Sequence, residues 1–131
     1  MVKVVLDTNI LVSSLLSHGP PAAIIGLIAE GRIIPYYSDP ILHEYWDVLS
    51  RAKFNFKSSQ VTRLINDITR SGMAVDYLQF SKIQMADEND RIFYDAAIEA
   101  KAYLITGNPR HFPPDTFIVS PSQFLTILFK G

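Results

Sequence analysis

The sequence has no cysteine, which excludes a disulfide framework, a thiolate metal site and a cysteine nucleophile. That absence fits a reducing, cytoplasmic setting. No apolar run approaches the length of a membrane span, and no basic-then-apolar leader precedes the first apolar stretch, so no membrane role is expected. Charge of one sign is also scarce. Twelve Lys and Arg against 13 Asp and Glu give a formal net charge of −1, with no bulk attraction for a polyanion. A nucleic acid would have to be held by a local basic patch or by metal ions. Repeats, linkers and low-complexity segments are missing too. A chain of 131 residues that is 48% hydrophobic and 19% charged suits one globular domain with one core, spanning residues 1–131.

What is present begins with VVLDTN, Val4 to Asn9. A short β-branched and aliphatic run reads as a buried parallel strand, and Asp7 falls at its carboxyl end, the edge at which ligands bind in open α/β sheets. Ile10 to Leu16 reads as a helix that Asp7 or Thr8 could cap. After the turn at His18 to Pro21, Pro20 or Pro21 begins a second helix that runs to about Glu30 and ends at Gly31. Ile33 to Ser38 reads as a strand, with Pro35 suggesting an edge or a strand start.

Asp39-Pro40 predicts a helix to about Arg51, with the acid as N-cap and an apolar stripe of Ile41, Leu42, Tyr45, Trp46, Val48 and Leu49. Glu44 lies at the margin of that stripe, where an acid can point into a cleft. Arg51 to Lys57 reads as a basic and aromatic loop. Ser58 or Ser59 then caps a helix over Gln60 to about Arg70, and Met73 to Leu78 reads as a short strand. Asp87 to Asp90 is an acidic cluster opening a helix to about Lys101, where acids suit the helix dipole. Its expected buried face is Ile92, Phe93, Ala96, Ala97 and Ala100, with Tyr94 and Ile98 off that face. Strands follow at Ala102 to Thr106 and Thr116 to Ser120, and Pro121 opens a last helix to about Phe129. Strands alternating with helices imply a largely parallel sheet covered on both faces, with strand ends aligned on one edge.

Four polar stations can then share that edge: Asp7, Glu44, Asp90 and the stretch Thr106 to Asn108. Unpaired carboxylates in one pocket raise one another's pKa values, and a hard divalent cation removes the conflict. Oxygen-only ligands suit Mg²⁺ or Mn²⁺ and point to metal-assisted phosphodiester or phosphoryl chemistry. Taken singly, each acid has a plainer use: Asp7 as a cap, Glu44 as a solvated helix residue, Asp90 as a complement to the helix dipole. His43 reads as a surface residue and His111 as a loop residue, neither needed by an oxygen-rich site. Arg51, Lys53 and Lys57 with Phe54 and Phe56 could contact an RNA backbone and stack on bases, or form a solvated loop pinned by two phenylalanines.

VVLDTNILVSSLL, Glu44 in the helix after strand two, DENDRIFYDAAIEAKAYLITGN and the following RHFP occur in an order and spacing that resembles the PIN-domain ribonucleases. Within that family the chain is most similar to the single-domain, VapC-like toxins of prokaryotic toxin–antitoxin pairs. The resemblance covers essentially the whole chain. It implies a three-layer α/β/α fold on a parallel sheet of four to five strands, with strand one central. It implies that Asp7, Glu44 and Asp90 are the catalytic, metal-binding acids, with Mg²⁺ or Mn²⁺ as cofactor, RNA as substrate, a cognate antitoxin as partner, and a homodimer. Thr8, Asn9, Thr106 and Asn108 become supporting groups that hold carboxylates or position a water. Asp87 is left as a cap or loop acid, and Asp95, almost opposite Asp90 on its helix, is a poorer ligand. Many family members carry a fourth acid two residues after the strand-four threonine. Asn108 stands there instead, neutral but able to ligate through its carbonyl oxygen.

The expected function is therefore a divalent-metal-dependent endoribonuclease. The competing readings are a catalytically weak RNA-binding or antitoxin-binding module, suggested by Asn108, and a phosphohydrolase with Asp7 as nucleophile. The second is disfavoured because Asn9 stands where aspartyl phosphatases carry another acid.

Overall fold

In a computed structural model, described over residues 1–76 and 82–130, the order of elements is β1 (Lys3–Leu6), α1 (Thr8–Leu16), α2 (Pro20–Ala29), β2 (Ile34–Tyr37), α3 (Asp39–Leu49), α4 (Ser58–Ser71), β3 (Met73–Ala74), α5 (Arg91–Ala100), β4 (Tyr103–Ile105), β5 (Ile118–Val119) and α6 (Pro121–Lys130). The strands form one parallel sheet in the order β3-β2-β1-β4-β5, with β1 central as expected. Val4, Val5 and Leu6 are all fully buried. Successive strand side chains point to opposite faces, so helices cover both faces of this strand. Among the described residues no single helix is long and apolar enough to cross a membrane.

Several local expectations need correction. The N-cap of α3 is Ser38, whose hydroxyl accepts from Ile41 N at 3.3 Å, and Asp39 is the first helical residue. A hydroxyl two residues before Pro40 reaches the free amides as well as an acid does. The apolar stripe of α3 is narrower than expected: Ile41, Tyr45 and Leu49 are buried, while Trp46 is 40% exposed. In α4 the N-cap position falls on Lys57, its amide bonded by the Gln60 side chain at 3.0 Å, and Ser58 begins the helix. The strand expected over Met73 to Leu78 is observed at Met73–Ala74; Tyr77 and Leu78 lie outside the described residues.

Tyr94, expected off the buried face of α5, is buried and donates its hydroxyl to Asp115 at 2.7 Å. A phenol can close a core when its polar end finds an acceptor. Pro35 is in neither an edge strand nor the first position of one. It is the second residue of β2, which lies between β1 and β3. Ile34 N bonds to Val2 O on the β1 side, so the hydrogen-free Pro35 nitrogen faces the opposite side, before the β3 ladder begins at Tyr36 and Met73. There Gly72 approaches so closely that a Cβ would sit 2.6 Å from Ile68 O and overlap Pro35 O. A larger residue would force β3 away from β2.

Candidate active site

The three acids come from different elements and line one cleft of about 380 Å³ at the carboxyl edge of the sheet. Asp7 directly follows β1, Glu44 lies in the second turn of α3, and Asp90 closes a 3₁₀ turn (Glu88–Asp90) that leads into α5. Thr8, Asn9 and Asn108 line the same cleft, and Thr106 lies behind Asp7. Asp95, though buried on α5, is not among the lining residues.

Asp7 occupies the N-cap position of α1, yet its carboxylate makes no capping bond. It is held instead from β4 and from its own loop. Thr106 Oγ1 donates to Oδ2 at 2.7 Å, and Asn9 Nδ2 donates to the same oxygen at 3.2 Å. The backbone continues the ladder, with Asp7 N bonded to Ile105 O at 3.0 Å. Asn9 also accepts from Gly107 N at 3.1 Å, and Asn108 N donates to Thr106 Oγ1 at 3.1 Å. The loops after β1 and β4 are thus stitched together around one carboxylate oxygen. Thr8 Oγ1 donates to Glu44 Oε2 at 3.1 Å, which ties the second acid to the same corner.

Asp7 is buried, and burial raises its carboxyl above the ordinary value against the opposing hydrogen bond from Thr106. Burial, then the charges of Asp7 and Asp87, push the Asp90 carboxyl up to about 6. Asp87 itself accepts from Asn89 N at 2.9 Å, as a turn-capping acid does. This electrostatic conflict is what a hard cation relieves, and the donors are all oxygen, so the residues fit Mg²⁺ or Mn²⁺. Among the described residues no three His, Asp or Glu form a ready-made ligand cage. The acids instead face an open cleft, which suits a cation that retains several waters.

Two contributors were undervalued at the level of sequence. His111, assigned to a loop, lines the cleft and its charge opposes the upward shifts of Asp7 and Asp90. Tyr45, counted only as apolar, is buried and donates to Leu6 O at 2.6 Å, bracing the strand end that presents Asp7. Its place next to Glu44 was the available signal. Arg51, Lys53 and Phe54 also line the cleft.

Fold and cleft together define an α/β protein with a carboxylate-lined crevice at the strand ends. The chain belongs to the PIN-domain family, whose pattern matches residues 3–110. It is 33% identical over 110 residues to the uncharacterized protein MJ1680 of Methanocaldococcus jannaschii, covering 82% of this chain and 71% of that one. Its fold is similar to a chain in the crystal structure of VapBC2 from Rickettsia felis bound to a DNA fragment from their promoter. The TM-score is 0.56 at 19% identity, covering 90% of this chain and 96% of that chain.

Proposed function

We propose that the chain is a divalent-metal-dependent endoribonuclease that hydrolyses RNA phosphodiester bonds, and the toxin of a toxin–antitoxin pair acting in the cytoplasm. The observation that carries the activity is the convergence of Asp7, Glu44 and Asp90 on one cleft, with two of the three carboxyls raised by burial and neighbouring charge. These residues would hold Mg²⁺ or Mn²⁺. When bound, such an ion acidifies water and neutralises charge developing on a phosphate. The chain's own part is positioning. Thr106 and Asn9 both donate to Oδ2 of Asp7. Thr8 orients Glu44, and Tyr45 braces the end of β1. Asn108, which lines the cleft, could offer a neutral oxygen.

The likeness to a VapBC2 chain supports a cognate antitoxin as partner. Exposed apolar side chains, among them Leu16, Phe129, Ile98 and Trp46, are surface that a homodimer could cover. A second reading, a catalytically weak module that binds RNA or an antitoxin, is favoured by one observation: Asn108 brings no charge to the cleft.

The deciding experiment is RNA cleavage in Mg²⁺ or Mn²⁺, with and without chelator, beside Asp7→Asn and Asp90→Asn. Metal-dependent cleavage lost in both variants is expected. Cleavage surviving both would remove these acids from the reaction. RNA binding without turnover in any metal would favour the binding module.

A further inference from the structure

The nuclease reading leaves unexplained the segment that follows α3. Arg51 to Phe56 leaves the helix through a 3₁₀ turn (Ala52–Phe54), closed by Asn55 in the left-handed region at φ 52°. That turn places Phe54 and Phe56 face to face, with ring centroids 5.3 Å apart and planes within 6°. The two rings have different supports. Phe56 packs against the hydrophobic core, whereas Phe54 is not part of that cluster and leans on Phe56 at the wall of the acidic cleft.

Two cations accompany Phe54 there. Arg51 is steadied by Asp47 at 3.0 Å, one turn beyond Glu44 on the same face of α3. Lys53 Nζ lies 5.0 Å from the centre of the Phe54 ring and makes no ion pair among the described residues. A phosphodiester approaching three carboxylates meets repulsion, and a net charge of −1 supplies no compensating field. Side-chain cations lining the same cleft, Arg51 and Lys53, offset that repulsion beyond the acids themselves. An aromatic face beside them suits an unpaired base, since every base has a face to stack while a duplex hides it.

We infer that residues 51–56 are the station that holds the nucleotide next to the scissile phosphate. Phe54, backed by Phe56, stacks on an unpaired base, and Arg51 and Lys53 hold the adjoining backbone phosphate. The inference rests on the nuclease reading of the cleft. It makes Phe54 and Lys53 binding residues for single-stranded RNA.

The test is binding of a short fluorescein-labelled single-stranded oligoribonucleotide in chelator, where no turnover occurs, together with KM and kcat in Mg²⁺. Phe54→Leu keeps apolar bulk but removes the flat face. It should weaken binding about tenfold, within the range for losing one stacked base, with Phe54→Trp restoring it. Lys53→Gln should reduce the salt dependence by about one phosphate contact. Oligonucleotides with a single abasic position, moved along the strand, should show the Phe54 effect vanish at one position relative to the cut. A purely structural role for the ring predicts no such position.

Unchanged binding and KM in Phe54→Leu and Lys53→Gln, with Asp7→Asn inactive, would overturn the station and leave the nuclease reading standing. Cleavage that persists in Asp7→Asn would overturn the nuclease reading instead, while the chelated binding series still decides the station. Equal losses on single-stranded and duplex RNA would exclude stacking and overturn it.

Discussion

The two edges of the sheet differ although the same strands supply both. At the carboxyl edge, β1 and β4 end in Asp7 and Thr106, both buried and joined by a hydrogen bond. At the amino edge, Tyr103 and Phe117 border a larger groove of about 620 Å³, with Ile98, Ile127 and Lys101 and no carboxylate. One edge concentrates buried polar groups that must be satisfied by named partners. The other exposes apolar surface that nothing within the described chain covers. Polar groups are tolerated in the core only where a network closes around them, and the cost of burying Asp7 is what singles out the carboxyl edge as the candidate site.

The contrast can be broken first at its strongest point. Asp7→Asn and Asp90→Asn should each lower RNA cleavage by more than about a hundredfold, the upper range for losing even an indirect partner of a metal site. Asp7→Asn should meanwhile raise the melting temperature of the metal-free protein, because it removes a buried carboxylate that the fold disfavours in its charged form. A variant that loses both activity and stability would show that Asp7 is structural.

Thr106→Val tests the network rather than the acid. Cleavage should fall about 10- to 100-fold. Stability should fall by about 1–3 kcal/mol, because a buried carboxylate oxygen loses the shorter of its two hydrogen bonds and the Asn108 amide loses its partner. Chemical denaturation measures the second quantity separately.

A smaller effect concerns pH. The Asp90 carboxyl is raised from 3.8 to about 6 in the folded chain, so the folded state binds its proton more readily than the unfolded state. That group's contribution makes metal-free protein less stable as pH rises through this window and more stable as pH falls through it. Urea melts across the window should show a steeper decline for wild type than for Asp90→Asn, and added Mg²⁺ should flatten the difference. Equal slopes would mean that the acids do not burden the fold.

The smallest effect belongs to the amino edge. Ile98→Ser should leave cleavage within about twofold and stability within about 0.5 kcal/mol, as for surface changes in general. Light scattering on the same variant would show whether this groove takes part in self-association.

Much of the fold was legible because its signals are local. The β-branched run of β1, Pro20 at the start of α2 and Gly31 with φ +71° just beyond its end each depend on neighbours in sequence. The order of strands and helices was readable for the same reason. Apart from cap positions that shifted by a residue or two, the misreadings occurred where a local rule met a distant partner. Tyr94 looked superfluous to its helix until Asp115 supplied an acceptor. Pro35 looked like an edge or strand-start residue until Gly72 showed how β3 draws close beside it. Asp7 had the backbone place of a cap, but its side chain makes no capping bond and is held by Thr106 and Asn9.

The amino-acid sequence by itself determined the elements, the central place expected for β1, and the three acids worth pairing. Their types and flanking residues contain that information, because helix starts, strand patterns and charge are short-range properties. Tertiary structure alone decided that Asp7, Glu44 and Asp90 share a cleft, that Thr106 donates to the Asp7 carboxylate, and that His111, Lys53 and Phe54 line the same walls. Those facts depend on parallel strands ending at a common edge, where residues distant in the chain become neighbours and burial sets which charges feel one another.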